Sequence, residues 1–428
     1  MTSAAEQITQ ACPECGARIE GDRRFTVWCA ACDWNVDPAK PEPEHGRVDR
    51  ARRALARAYG EKLLGEVAQG AALPARRDTS AVLAHALALA VHAVTLVLLL
   101  AGVWCLVRGW GGIGMVAGAI LLAMAVALRP RFARLPDDRP VLRRADAPEL
   151  FALVDDVARS VGTRTVDAIV VDDEVNASVS TYGLRARRRL TIGLPLWEIL
   201  TPRERVALLG HELGHYGNGD TRHGVVVGTA LQSLGQWHYY FAPVPNPSGV
   251  QILVNLLYVL PRLFVHGVLM LLDQLTLRAA QRAEYLADRE AARAGSTDAA
   301  VGLMDRLLIA DSAVMALRRE ANQAALRGHR AAQRAESRAE ELWDRLAAHM
   351  ASVPGHEYER LRRVGARRGH SVDSTHPPTH LRRACLLTGP NLPAAVTADA
   401  DRERRIAGEL AAARAEVARA IVRDGYSG

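Results

Sequence analysis

Residues 81–107 read AVLAHALALAVHAVTLVLLLAGVWCLV, a run without one charged side chain. At about 1.5 Å of rise per residue, a helix of this length crosses a hydrocarbon core of roughly 30 Å. Soluble helices seldom run so far without a charge, which sets aside a buried soluble pair. After the turn RGWGG a second apolar run, Ile113–Leu128, leads back, so residues 81–128 read as a transmembrane hairpin. Arginines crowd both outer flanks, while the turn between the runs holds only Arg108. By the positive-inside rule both outer ends face the cytoplasm, and the chain is expected in the cell membrane as a multi-pass protein. His85 and His92, inside the first run, read as helix-packing residues.

Composition narrows the partners. The 428 residues leave room for two or three domains, and the formal charge is +7. Nearly all of the basic charge is arginine, since only Lys40 and Lys62 are lysines. An excess of this kind fits an arginine-rich genome or an anionic lipid surface. Nucleic acid is a poor candidate, because no aromatics interleave the basic runs.

Cys12, Cys15, Cys29 and Cys32 form two CxxC pairs separated by thirteen residues. Each pair turns two thiolates toward one point, and two pairs complete a tetrahedral zinc shell, so residues 1–40 read as a zinc ribbon. With all four positions filled by protein, this zinc is structural. The segment RFTVWC is predicted to be a strand entering the second knuckle. No apolar leader precedes the cysteines, consistent with a reducing cytosol. Residues 41–80 read as a basic helical linker, and Cys105 and Cys385 as small buried hydrophobes.

Beyond residue 141 the chain turns globular. A helical segment is followed by alternating, strand-like residues up to WEIL, and then by TPRERVALLGHELGHYGNGD. Thr201, Pro202 and Glu204 supply an N-cap, a first-turn proline and a capping-box carboxylate, which puts the histidine motif on a helix. His211 and His215 then share one face, four residues apart, as two imidazoles for one ion. Glu212 projects beside them, where a carboxylate can take a proton from an attacking water and return it to a leaving amine. A third ligand is expected in RAEYLADREAA. Spacing alone leaves Glu284, Asp288 and Glu290 open. Further apolar stretches within 224–272 are possible membrane helices, residues 275–350 carry helical spacing, GHSVDSTHPPTHLRRA reads as non-helical, and a last helix is expected over Asp401–Val422.

The ordered set VNASVSTYG, LLGHELGHYGNGD, RAEYLADREAA and STHPPTHLRR resembles the M48 family of integral-membrane zinc metallopeptidases, which includes HtpX-like heat-shock proteases and CAAX prenyl proteases. The resemblance runs from about Leu83 to Leu387. It implies a mainly α membrane protein whose helical zincin domain, of the gluzincin type, carries a small β-sheet over residues 141–395. It also implies that His211, His215 and Glu284 bind a catalytic zinc, that Glu212 is the general base, and that Asp288 supports a zinc-binding histidine. Asn176 and Ala177 match the family's substrate-binding edge strand, although NASVSTYG departs from the more frequent NAFATG. His376 matches a histidine suited to stabilise the oxyanion, and Arg382 an arginine assigned to the substrate side of the site. Neither the ribbon nor the segment 396–428 belongs to that plan. The expected activity is membrane-embedded endopeptidase cleavage of membrane or misfolded polypeptides on the cytoplasmic side. The alternative is an inactive scaffold that recruits a protein partner through its zinc ribbon.

Overall fold

The computed structural model describes residues 7–38, 47–68, 79–131, 133–183, 185–217, 220–325, 339–368 and 377–426. Strands β1 (Gln7–Ala11) and β2 (Arg18–Asp22) form an antiparallel hairpin around the first CxxC turn. The stretch expected to be a strand, RFTVWC, is irregular instead. Its backbone is used in turns, where Phe25 N–H bonds the Asp22 carbonyl and Cys29 N–H the Trp34 carbonyl.

Helix α1 (Arg47–Ala68) follows, then α2 (Thr79–Arg108) and α3 (Ile113–Leu128). The α2–α3 hairpin is held by close backbone approach. A Cβ on Gly118 would lie 2.8 Å from the Gly102 carbonyl oxygen, and one on Gly109 2.5 Å from Gly114 Cα. Helix α7 (Asp220–Tyr240) packs against this hairpin, with His92 Nε2 3.1 Å from the Val226 carbonyl and Trp237 donating to the Leu128 carbonyl at 3.0 Å. His92 thus has the packing role expected of it. Helix α8 runs without a break from Gly249 to Gly295. The sequence pattern had divided it into an apolar part and a polar part, but both belong to one rod about 70 Å long.

The globular part is built on a four-stranded sheet in the order β3 (Val141–Leu142), β4 (Ala168–Asp172), β6 (Arg187–Gly193) and β5 (Ala177–Tyr182). β4 and β6 are parallel and β5 is antiparallel to β6, which leaves β5 as an edge. Against the sheet lie α4 (Pro148–Val161), the short α5 (Leu194–Ile199) and α6 (Pro202–Gly217). Leu150, Leu153, Ile169, Leu190, Ile192, Leu209 and Leu213 fill the space between them. Helices α9 (Thr297–Leu308), α10 (Ala310–Ala325), α11 (Leu342–Ala351), α12 (Gly355–Arg368), α13 (Thr379–Thr388) and α14 (Ala400–Asp424) complete the body.

One of these corrects the sequence reading. The segment after the double proline is helical from Thr379, because Pro378 occupies the N-cap, where a missing N–H costs no hydrogen bond. The last helix, α14, is part of the central core, with Ile406, Leu410 and Ile421 buried in it. Its Glu409 carboxylate accepts the Glu149 and Leu150 amides at 2.8 and 2.9 Å, capping α4 from outside its own sequence.

Candidate active site

The start of α6 carries the expected capping box. Thr201 N–H donates to Glu204 Oε2 at 2.8 Å, and Glu204 N–H reaches back to Thr201 Oγ1 at 3.4 Å. Two turns on, His211 and His215 lie on one face with their Nε2 atoms 3.3 Å apart. Glu284, from α8, completes the triangle. Its Oε2 is 3.5 Å from His211 Nε2 and its Oε1 3.5 Å from His215 Nε2.

Tetrahedral zinc with nitrogen or oxygen ligands at about 2.0–2.1 Å requires donors roughly 3.3 Å apart. The two imidazole nitrogens meet that spacing and Glu284 offers an oxygen to each at 3.5 Å, leaving one vertex of the tetrahedron without a donor among the described residues. The residues therefore fit a metal with an open position. Glu212 is buried beside them.

What brings Glu284 to the histidines is a contact the sequence reading missed. Gly210 and Gly214, one residue before each histidine, face α8 at very short range. A Cβ on Gly210 would fall 2.7 Å from Ala294 Cβ and 2.9 Å from the Glu290 carbonyl, and one on Gly214 3.1 Å from Ala287 Cα. Opposed small residues let the two helix backbones nearly touch, so a glutamate side chain spans the remaining gap. The signal was present as glycines four apart in LLGHELGH set against alanines in LADREAARAG, but nothing in a single sequence pairs them.

The same contact separates the three carboxylates left open by spacing. Glu284 faces both Nε2 atoms. Asp288, one turn on, puts Oδ1 3.1 Å from His211 Nδ1, and Glu290 turns toward Arg293. Asp288 is 1% exposed, and it is held by Arg382 through two bonds, Nη2 to Oδ1 at 2.6 Å and Nε to Oδ2 at 2.9 Å. Burial alone would push the Asp288 carboxyl up, but the Arg382 guanidinium overrides it and holds the carboxyl well below its usual range. Arg382 is itself only 2% exposed. Expected on the substrate side, it is buried against the site itself, with Nη2 3.4 Å from both His211 ring nitrogens and 3.5 Å from Glu284 Oε2, and its bond to Asp288 braces the imidazole.

Asn176 is exposed and Ala177 buried at the head of the edge strand β5. The Asn176 carbonyl accepts Gly193 N–H at 2.9 Å, which pins β5 to β6. A side chain on Gly193 would collide with that carbonyl, since its Cβ would lie 2.4 Å from the oxygen. Tyr216, next to His215, ties α6 to the same strand, its hydroxyl 2.5 Å from the Ser180 carbonyl. His376 lies outside the described residues.

The second donor cluster is the ribbon. Cys12 Sγ is 3.6 Å from Cys32 Sγ, and Cys15 Sγ 3.6 Å from Cys29 Sγ, with all four sulfurs within 4.8 Å of one another. Zinc–sulfur bonds of about 2.3 Å require sulfurs roughly 3.8 Å apart, so this set also fits, with no vertex left over. The Cys32 amide, donating to Cys29, outweighs burial and brings that thiol down to about 7. Cys385, by contrast, is buried and its thiol is pushed up to about 11 by desolvation.

A profile of peptidase family M48 matches residues 144–388, more than half of the chain. The chain belongs to peptidase family M48. Protease HtpX homolog 1 of Sulfurisphaera tokodaii is 33% identical over 86 residues, which is 20% of this chain and 28% of that relative. The aligned stretch thus spans little more than a quarter of the relative's length. No solved structure matches the chain. The M48 match takes in α6, α8 and α13, which carry His211, His215, Glu284, Asp288 and Arg382, and leaves out the ribbon, α1, the α2–α3 hairpin and α14.

Proposed function

We propose that this M48 peptidase is a membrane-embedded zinc endopeptidase that cleaves membrane or misfolded polypeptides on the cytoplasmic side. The observation that carries the reading is the convergence of His211, His215 and Glu284 at tetrahedral spacing beside a buried Glu212. A zinc ion held by these three residues supplies Lewis acidity and brings water within reach of ionisation near neutral pH. Glu212 takes the proton of the attacking water and returns it to the leaving amine. His211 is kept in register by Asp288, whose acceptor at Nδ1 leaves Nε2 facing the site. An extended substrate adds to the free edge of β5 beginning at Asn176 and Ala177, bound through its main chain and so with little demand on sequence. His376 is assigned to the oxyanion on the family resemblance alone.

The membrane assignment rests on exposed apolar surface. α2 and the Gly249–Leu277 part of α8 are long and apolar enough to cross a bilayer, while α3 is shorter. Val107, Ile113, Leu260 and Phe264 are 71%, 90%, 77% and 72% exposed, far more apolar surface than a water-soluble monomer presents. The four ribbon thiolates hold a second zinc.

Metal counting with an activity assay tests the proposal. The wild-type chain is expected to hold two zinc ions, with one lost in His211→Ala and the other in Cys12→Ser/Cys29→Ser. Glu212→Gln should keep both and lower cleavage of an unfolded protein such as casein by at least about 100-fold. Wild-type cleavage by Glu212→Gln would overturn the mechanism. A topology scan should find the Trp110 turn accessible only from outside the cell.

A further inference from the structure

The segment ahead of the M48 match folds back onto the catalytic body at two places. The ribbon's second knuckle sits on α12. Arg363 donates to the Asp33 carboxylate at 2.6 Å and to the Ala30 carbonyl at 2.8 Å, with its guanidinium 4.9 Å from the Trp28 ring centre. Arg367 takes the other Asp33 oxygen at 2.6 Å, Arg368 Nε donates to Asp37 at 2.6 Å, and Arg360 to the Val36 carbonyl at 2.8 Å. An arginine face on one helix is thus matched to the acidic knuckle that Cys29 and Cys32 shape.

Helix α1 makes the second contact. Tyr285, adjacent to Glu284 and fully buried, donates to the Gly60 carbonyl at 3.1 Å. Leu63 packs with Tyr285 and Cys385, and a Cβ on Gly60 would lie 3.2 Å from Leu381. α1 therefore lies against the stretch of α8 that presents Glu284 and against α13, which presents Arg382.

The two contacts converge on one line of charged pairs. Arg362, on the far side of α12 from the ribbon, holds Asp305 of α9 through bonds of 2.7 and 2.9 Å. Asp305 also accepts from Arg383 of α13 at 3.0 Å. The residue before it, Arg382, holds Asp288, which faces His211. Packed elements joined by ion pairs form the kind of contiguous network through which coupling between distant sites is carried.

We infer that the ribbon and α1 form an intramolecular clamp, and that the metal-loaded ribbon, by holding α12, keeps α13 and the Glu284 stretch of α8 in the arrangement that supports the His211 site. The ribbon's partner is this chain's own α12, and its metal acts on the active site at a distance. The inference concerns order around the site and stands apart from whether the site cleaves peptides.

Hydrogen exchange on the full-length, zinc-loaded chain in detergent tests it. Asp33→Asn/Asp37→Asn leaves all four cysteines in place and removes the carboxylates that α12 grips. Exchange should rise at least about 5-fold in residues 355–368, and the rise should extend to 379–388 and 281–288. Zinc release from the His211 site to a chelator should also quicken by at least about 5-fold. Cys12→Ser/Cys29→Ser, which empties the ribbon, should do the same. Leu63→Ala, acting through α1 with the ribbon intact, should loosen 281–288 and 379–388. Changes confined to residues 7–38 and 355–368, or zinc release from the His211 site at the wild-type rate, would overturn the clamp.

Discussion

Four sulfurs from residues 12–32 meet in the ribbon, whereas the His211 site draws two imidazoles from α6 and one carboxylate from α8. In the ribbon, one tight turn sets each pair of donors, and the first turn is closed by a two-stranded hairpin. At the active site, α6 fixes only the histidine pair. The third donor arrives because two helices pack at glycine–alanine distance and because Arg382 and Asp288 lock the surroundings. A site made from turns needs little of the fold around it. A site made from packed helices inherits every weakness of that packing, and in exchange it sets its donors among buried side chains. Mutations remote from the donors should therefore damage the two clusters very unequally.

The largest effect expected from a residue outside the donor set is at Arg382, which touches His211 and Glu284. Arg382→Ala would leave Asp288 charged and buried without its partner, at a cost of about 3–5 kcal/mol. Asp288 would then be protonated or displaced, and His211 would lose its acceptor at Nδ1. Zinc affinity at the His211 site should fall by about 10–100-fold, the usual range for removing a ligand's support, while the ribbon keeps its metal. Competition titration with a chromogenic chelator separates the two ions. Equal loss from both clusters would remove the contrast drawn here.

Gly210→Val should come next. Its Cβ alone falls within 3 Å of Ala294 and of the Glu290 carbonyl, so α6 and α8 must part. Overpacking of this kind costs about 1–3 kcal/mol. Glu284 should then sit off the histidines, weakening zinc binding at the His211 site by about 30-fold for about 2 kcal/mol, with the melting temperature lowered by several degrees. Wild-type zinc affinity at that site would show that Glu284 does not depend on the glycine contact.

These two sites also mark where the sequence stopped being informative. The ribbon was readable because its donors lie close together in the chain, and the α6 capping box because Thr201 and Glu204 are three residues apart. The histidine pair was readable for the same reason. Glu284 was not separable from Asp288 and Glu290 by spacing, since a helix repeats every 3.6 residues and only the packing partner distinguishes its faces. Arg382 takes its substrate-side expectation from the family resemblance alone, with nothing in the spacing to place it. Its burial is evident only once Asp288 is placed opposite. The helix from Thr379 is hidden inside a segment that reads as non-helical, because Pro378 stands at its start and only the structure shows it as an N-cap. RFTVWC was read as a strand from its residue types, but turn bonds to Asp22 and Trp34 claim its backbone.

The smallest effect tests the ribbon's side of the contrast. Asn35 has a left-handed backbone, φ 54°, and its side-chain amide donates to the Val27 carbonyl at 2.7 Å. Asparagine tolerates that conformation, while a β-branched residue pays roughly 1–2 kcal/mol for it and forfeits the bond. Asn35→Val should therefore weaken ribbon zinc binding by about 10-fold, given that 1.4 kcal/mol is one factor of ten. Asn35→Gly, which relieves the strain and loses only the bond, should weaken it less. At saturating zinc both variants should still bind two ions per chain, because the turn is strained and not removed. If Asn35→Val instead abolished zinc binding at the His211 site while sparing the ribbon, turn-built and packing-built clusters would not differ in the way their geometry requires.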